Sequence, residues 1–92
     1  MARFFIEVPH EADKISCLHA VHTLLSTGSH FLTHADFGCY DGEHKAWIIV
    51  DVESKDAARA ILPTEFRTTA KIVGLNKFSL DEINEMLKHH TD

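Results

Sequence analysis

Between Arg3 and Val8 the chain alternates, with Phe4, Ile6 and Val8 on one side and Arg3, Phe5 and Glu7 on the other. A period of two predicts a first strand. Pro9 ends it, because proline has no N–H to give to a ladder. From about Glu11 to Ser26 the period lengthens, and Ile15, Leu18, Val21 and Leu25 recur at helical spacing. Glu11 and Asp13 fall in the first turn, where carboxylates suit the helix dipole, and Gly28 is placed to stop the helix in a left-handed conformation.

The stretches "FLTHADFGCY" and "HKAWIIVDV" flank Asp41-Gly42, a strong hairpin signal. A two-residue turn there sets Cys39 opposite His44, Phe37 opposite Ala46, Ala35 opposite Ile48 and Thr33 opposite Val50, facing the core. His34, Asp36, Trp47 and Ile49 fall on the other face. "SKDAARAIL" predicts a second helix with Ser54 as N-cap and Pro63 as its stop. "AKIVGLNKF" reads as a fourth strand. "FSLDEINEML" reads as a last helix with a Ser79–Glu82 capping box and a Phe78–Ile83 staple. The expected fold class is α+β: a ferredoxin-like βαββαβ unit with an antiparallel sheet of order 4-1-3-2, plus a C-terminal helix, as one domain over residues 1–92.

Both main helices cover one side of such a sheet. The other side then shows Phe5, Trp47 and Ile49, with Val73 and Leu75 beside them. Either the last helix folds back over this apolar patch, or two sheets pack together in a homodimer. The second is favoured, because two-fold homodimers are the commonest assemblies and 92 residues bury only a modest core.

Nine basic residues stand against 14 acidic ones, a net charge of -5. With no basic cluster, nucleic acid and anionic membranes are poor partners. The start "MARFFIEVPH" lacks the apolar core of a signal peptide, and no run is long enough to span a membrane, so a cytoplasmic location is expected. Cys17 and Cys39 are then expected to stay reduced.

The segment "WIIVDVESKDAARAILPTEFRTTAKIVGL" resembles the second half of muconolactone-isomerase-type members of the dimeric α/β-barrel superfamily. The shared elements are a strand ending in Asp-Val, a Ser-capped helix, a Leu-Pro break followed by an aromatic residue, and a strand ending in Gly-Leu. About a third of the chain is involved. The resemblance implies a ferredoxin-like protomer whose sheets pack into a barrel, with a pocket between sheet and helices. Members include isomerases and cofactor-independent monooxygenases acting on small organic substrates, and many small proteins without known function.

Eight histidines are the compositional anomaly. In the expected sheet, His10 follows strand one, Cys39 ends strand two and His44 begins strand three, so the three converge at one end. Thiolate and imidazole are the preferred donors of Zn²⁺, Ni²⁺ or Cu²⁺, and Asp41 or Glu11 are available to complete the shell. Two other chemistries fit the same trio. Cys39 is a nucleophile activated by His44 and a helix N-terminus, or His10 or His44 is a general base on a small molecule. A non-catalytic structural or regulatory dimer is the remaining alternative, with the three residues merely packed or solvated. Cys17 reads as packing at the edge of the first helix, and His22 as covering the edge of the core. His19 and His22 read as helix surface, His34 and Asp36 as an interface pair, and Arg67, Lys71 and Lys77 as scattered surface charge.

Overall fold

In a computed structural model, which describes residues 1–27 and 29–90, the first alternating segment forms β1 (Ala2–Pro9). It is followed by α1 (Lys14–Thr27), β2 (Asp36–Gly38), β3 (Glu43–Val52), α2 (Lys55–Ala60), β4 (Lys71–Leu75) and α3 (Leu80–Lys88). Short 3-10 turns intervene at His30–His34, Cys39–Asp41 and Thr64–Phe66. The class is α+β, with a four-stranded open sheet whose order is β2-β3-β1-β4 and whose pairings are all antiparallel.

Even-numbered strand residues supply the core. Phe4, Ile6 and Val8 of β1 meet Ala46, Ile48 and Val50 of β3 and Ile72 of β4, with Leu24 of α1 and Ala58 and Leu62 from α2 and its exit packed on top. Helices α1 and α2 therefore share one face of the sheet. Ser54 caps α2 by accepting from the Ala57 N–H, and Ser79 and Glu82 form the full capping box at the start of α3. Both caps satisfy N–H groups that a helix leaves unpaired at its first turn.

Three expectations need correction: the start of α1, its core face and the form of the hairpin. Helix α1 starts at Lys14, and Asp13 is its cap rather than a first-turn acid, accepting from the Ser16 N–H at 3.0 Å and the Ser16 hydroxyl at 3.1 Å. The side of α1 that enters the core is Cys17, Ala20 and Leu24, while Ile15, Leu18 and Leu25 are exposed. These residues make two apolar stripes on one helix, and the approach of the sheet selects the second. The Gly28 stop lies outside the described residues.

The hairpin differs too. Residues 30–34 coil into a 3-10 turn capped by Ser29, so β2 shrinks to Asp36–Gly38 and the Thr33 and Ala35 pairings are absent. Phe37 does pair with Ala46, but Gly38 pairs with Glu43, leaving His44 and Lys45 as an irregularity in β3. Cys39 consequently sits in the connecting turn and has no cross-strand pairing with His44. Gly42, at φ 81°, closes that turn in the left-handed region, where glycine carries no Cβ penalty.

The last helix does not fold back. Leu80, Met86 and Leu87 are exposed, and α3 forms no packed interface with the sheet. The molecule is accordingly long, 57 × 28 × 21 Å.

Candidate metal centre

Three segments meet at the end of the sheet where β1 finishes. The His10 N–H donates to the His44 carbonyl at 3.0 Å, extending the β1–β3 ladder by one bond and fixing the two histidines side by side. Their rings meet edge to face with centroids 5.8 Å apart. Cys17 lies one turn into α1, its N–H bonded to the Asp13 carbonyl at 2.7 Å, and its side chain is buried towards the sheet. Cys39 arrives from the turn after β2 and is half-buried. The irregularity that leaves His44 unpaired with β2 is the kind of bulge that re-aims a side chain near a site.

The donor atoms form a compact set. His10 Nε2 is 3.3 Å from Cys17 Sγ and 3.3 Å from Cys39 Sγ, and the two sulfurs are 3.3 Å apart, an equilateral triangle of one nitrogen and two sulfurs. A ring nitrogen of His44 supplies a fourth corner, with all four donors within 4.8 Å of one another. Bond lengths of ~2.3 Å to sulfur and ~2.0–2.1 Å to nitrogen give a tetrahedron with edges of ~3.4–3.8 Å. The triangle needs to open by only a few tenths of an ångström to become one face of that tetrahedron.

Electrostatics argues against one of the three chemistries, the activated cysteine. Burial first, and then the Cys17 thiol beside it, push the Cys39 thiol above its ordinary pKa. An activated nucleophile requires the reverse. His44 makes no hydrogen bond to Cys39 either, so the expected Cys39–His44 nucleophilic pair is not formed; the imidazole touching Cys39 is that of His10. Burial, and then neighbouring His44, hold His10 below its ordinary pKa, with a weaker opposing pull from the Val8 backbone that falls short of a hydrogen bond. Nδ1 of His10 and Nδ1 of His44 are both buried without a hydrogen-bond partner. His10 meets the thiols through Nε2, so its Nδ1 lacks the outer-shell partner that a ligating histidine ordinarily has, whereas a buried His44 nitrogen without a partner is available as a donor.

The sequence reads Cys17 as packing; the structure buries it on the core side of α1 and also places its sulfur in the cluster. Glu11 and Asp41 do not belong to it. His19 and His22 are exposed on α1, and His22 covers no core edge. His34 stacks edge to face on His30 at 6.0 Å on the surface. Arg67 is occupied with backbone carbonyls, its Nε donating to Leu62 at 2.9 Å and Nη2 to Ala60 at 3.1 Å. Beside the cluster lies a cavity of about 480 Å³ between Leu18 and Val21 on one side and Phe37 and Tyr40 on the other, with Cys17, Cys39 and His44 on its wall.

No family model, curated protein or solved structure matches this chain. No helix among the described residues is long and apolar enough to cross a membrane.

Proposed function

We propose that this is a transition-metal-binding protein whose ligands are His10, Cys17, Cys39 and His44. The observation that carries the reading is the clustering of two thiols and two imidazoles, from three separate segments, with all donors within 4.8 Å. Two thiolates balance the charge of a divalent ion, so the loaded site is neutral and its partial burial costs little. A four-donor S₂N₂ set favours Zn²⁺, ahead of Ni²⁺ or Cu²⁺, whose preferred geometries are flatter. Bound there, the metal ties the end of β1, the first turn of α1 and the β2–β3 turn together. Reduced thiol ligands fit a cytoplasmic location. The strand order and the shared face of α1 and α2 support a ferredoxin-like reading of the protomer.

Native mass spectrometry tests the proposal. Wild type at micromolar concentration takes up one Zn²⁺ per chain, and the Cys17→Ser/Cys39→Ser double variant, folded by circular dichroism, takes up none. If wild type binds none of Zn²⁺, Ni²⁺ and Cu²⁺, the reading fails.

The cavity favours a second reading, an isomerase or monooxygenase of the dimeric α/β-barrel type with a histidine as general base. His44 borders a space large enough for a small organic molecule. Turnover or saturable ligand binding by metal-free protein, lost in His44→Ala, is its signature.

A further inference from the structure

Cys17 and Cys39 are the chain's 2 cysteines, so neither has another thiol partner within the chain. Both are free, and their sulfurs lie 3.3 Å apart. Cys17 comes from the first turn of α1, and Cys39, 22 positions further along, from the turn between β2 and β3. His10 Nε2, 3.3 Å from each sulfur, braces the pair. Cys17 is only 7% exposed and Cys39 is half-buried, yet both lie on the wall of the cavity of about 480 Å³, which opens a path to the sulfurs.

Two chemical states of this pair are within reach, and they pull the sulfurs in opposite directions. A disulfide bond of ~2.03–2.05 Å requires each sulfur to move inward by about 0.6 Å. Small rotations about the two Cα–Cβ bonds supply such a movement. The Cys39 turn lies outside the β2–β3 ladder, beside its register irregularity, and is free to follow. A tetrahedral ion instead draws the sulfurs apart, to the ~3.8 Å edge set by Zn–S bonds of ~2.3 Å. One pair of sulfurs cannot hold both distances. A sulfur in a disulfide also has no thiolate charge to give a metal.

We propose that Cys17 and Cys39 are a reversible dithiol–disulfide pair, closed by exchange with a low-molecular-weight disulfide, and that closing it empties the metal site. The first part stands on the thiol geometry, and the second rests on the ligand set proposed above. Cys39, the more accessible thiol, attacks one sulfur of the small disulfide, breaks its S–S bond and releases one thiol. Cys17 then attacks the Cys39 sulfur of the mixed disulfide, forming the internal bond and releasing the second thiol. The two protein thiols thus give up two protons and two electrons, and both pass to the two small thiols formed. A small thiol in excess runs the same steps backwards. The Cys39 thiol is not activated, so exchange is slow, and the pair is a switch set by equilibrium rather than a turnover catalyst.

The test equilibrates the metal-free full chain with mixtures of reduced and oxidised glutathione, quenches with an alkylating agent and weighs the intact protein. Wild type is expected to lose both alkylatable thiols without retaining glutathione, and to regain them with dithiothreitol. At fixed total glutathione, the folded pair is half-oxidised at an oxidised-to-reduced ratio about ten-fold or more below that needed by the same chain in urea. There the thiols meet only at the millimolar effective concentration of a flexible linker. Equal ratios, or a lasting glutathione adduct in place of the internal bond, would overturn the pair. Cys17→Ser, folded by circular dichroism, stops at an adduct on Cys39, whereas Cys39→Ser reacts far less; the reverse order overturns Cys39 as the point of entry. Native mass spectrometry with Zn²⁺ then reads the second part: the reduced protein takes up one ion and the oxidised protein none. Equal uptake by both forms overturns the exclusion. A reduced protein that binds no metal overturns the ligand set and the exclusion together. A pair that fails to close in a protein that does bind Zn²⁺ overturns this proposal alone.

Discussion

His10 Nε2 lies 3.3 Å from the Sγ of Cys17, joining the residue after β1 to the first turn of α1. Seven positions separate them in sequence, and only the packing of α1 on the sheet brings them together. Cys17 is thus a full member of the donor set. The Cys17→Ser variant is expected to lose at least the ~10–100-fold in Zn²⁺ affinity that follows loss of a mere outer-shell partner. Competition with a chromogenic chelator reads the change. Wild-type affinity in this variant shows that Cys17 only packs.

Metal binding is also folding energy here, because it adds to the β1–β3 ladder a tie from α1 and from the turn after β2. At a free Zn²⁺ concentration one hundred times Kd, the gain is about 2.7 kcal/mol, or roughly 10–20 °C in Tm for a domain of this size. Differential scanning calorimetry with and without Zn²⁺, and after adding a chelator, measures it. An unchanged Tm under saturating metal contradicts the proposed ligand set.

Without metal, stability is bounded on both sides by the site. His10 has a lowered pKa in the folded state, so the unfolded chain binds more protons as the pH falls. Its contribution is intact above the ordinary histidine value of about 6.5 and is lost as pH drops through the folded value. Cys39 has a raised pKa, so its contribution is intact below the ordinary thiol value of about 8.5 and is lost as pH climbs through the folded one. Urea midpoints of chelator-treated protein should therefore peak near neutrality. Replacing His10 by Ala removes this acid-side slope, and replacing Cys39 by Ala the alkaline one.

The turn that delivers Cys39 depends on Gly38. A Cβ there meets the Trp47 ring at 2.6 Å and the Glu43 carbonyl at 2.8 Å, and the carbonyl is backbone that cannot swing aside. Gly38→Ala is expected to cost about 1–3 kcal/mol, as overpacking does, and to weaken metal uptake by displacing Cys39. Chemical denaturation and the chelator assay check the two effects separately. An unaffected affinity would detach the turn geometry from the site.

Much of this molecule is legible in its amino-acid order where local rules decide. The alternation in β1, the Ser54 cap and the Ser79–Glu82 box all depend on residues a few positions apart. Cys17 was not legible, for a definite reason. Ile15, Leu18 and Leu25 make one apolar stripe on α1, while Cys17, Ala20, Val21 and Leu24 make another with the i, i+3, i+4, i+7 spacing. Periodicity cannot choose between them; the approach of the sheet does. That second stripe was the available signal. The Asp41-Gly42 pair gave the right place for the hairpin but not its form, because the 3-10 turn at Cys39–Asp41 lengthens the connection and leaves His44 in an irregularity. His10 and His44 were brought together by topology alone, through the antiparallel pairing of β1 and β3.

X-ray absorption at the zinc edge of the loaded protein tests the central claim most directly. The proposed ligand set predicts two sulfur scatterers at ~2.3 Å and two imidazole nitrogens at ~2.0–2.1 Å. A shell of oxygen and nitrogen alone, or one containing a single sulfur, would contradict it.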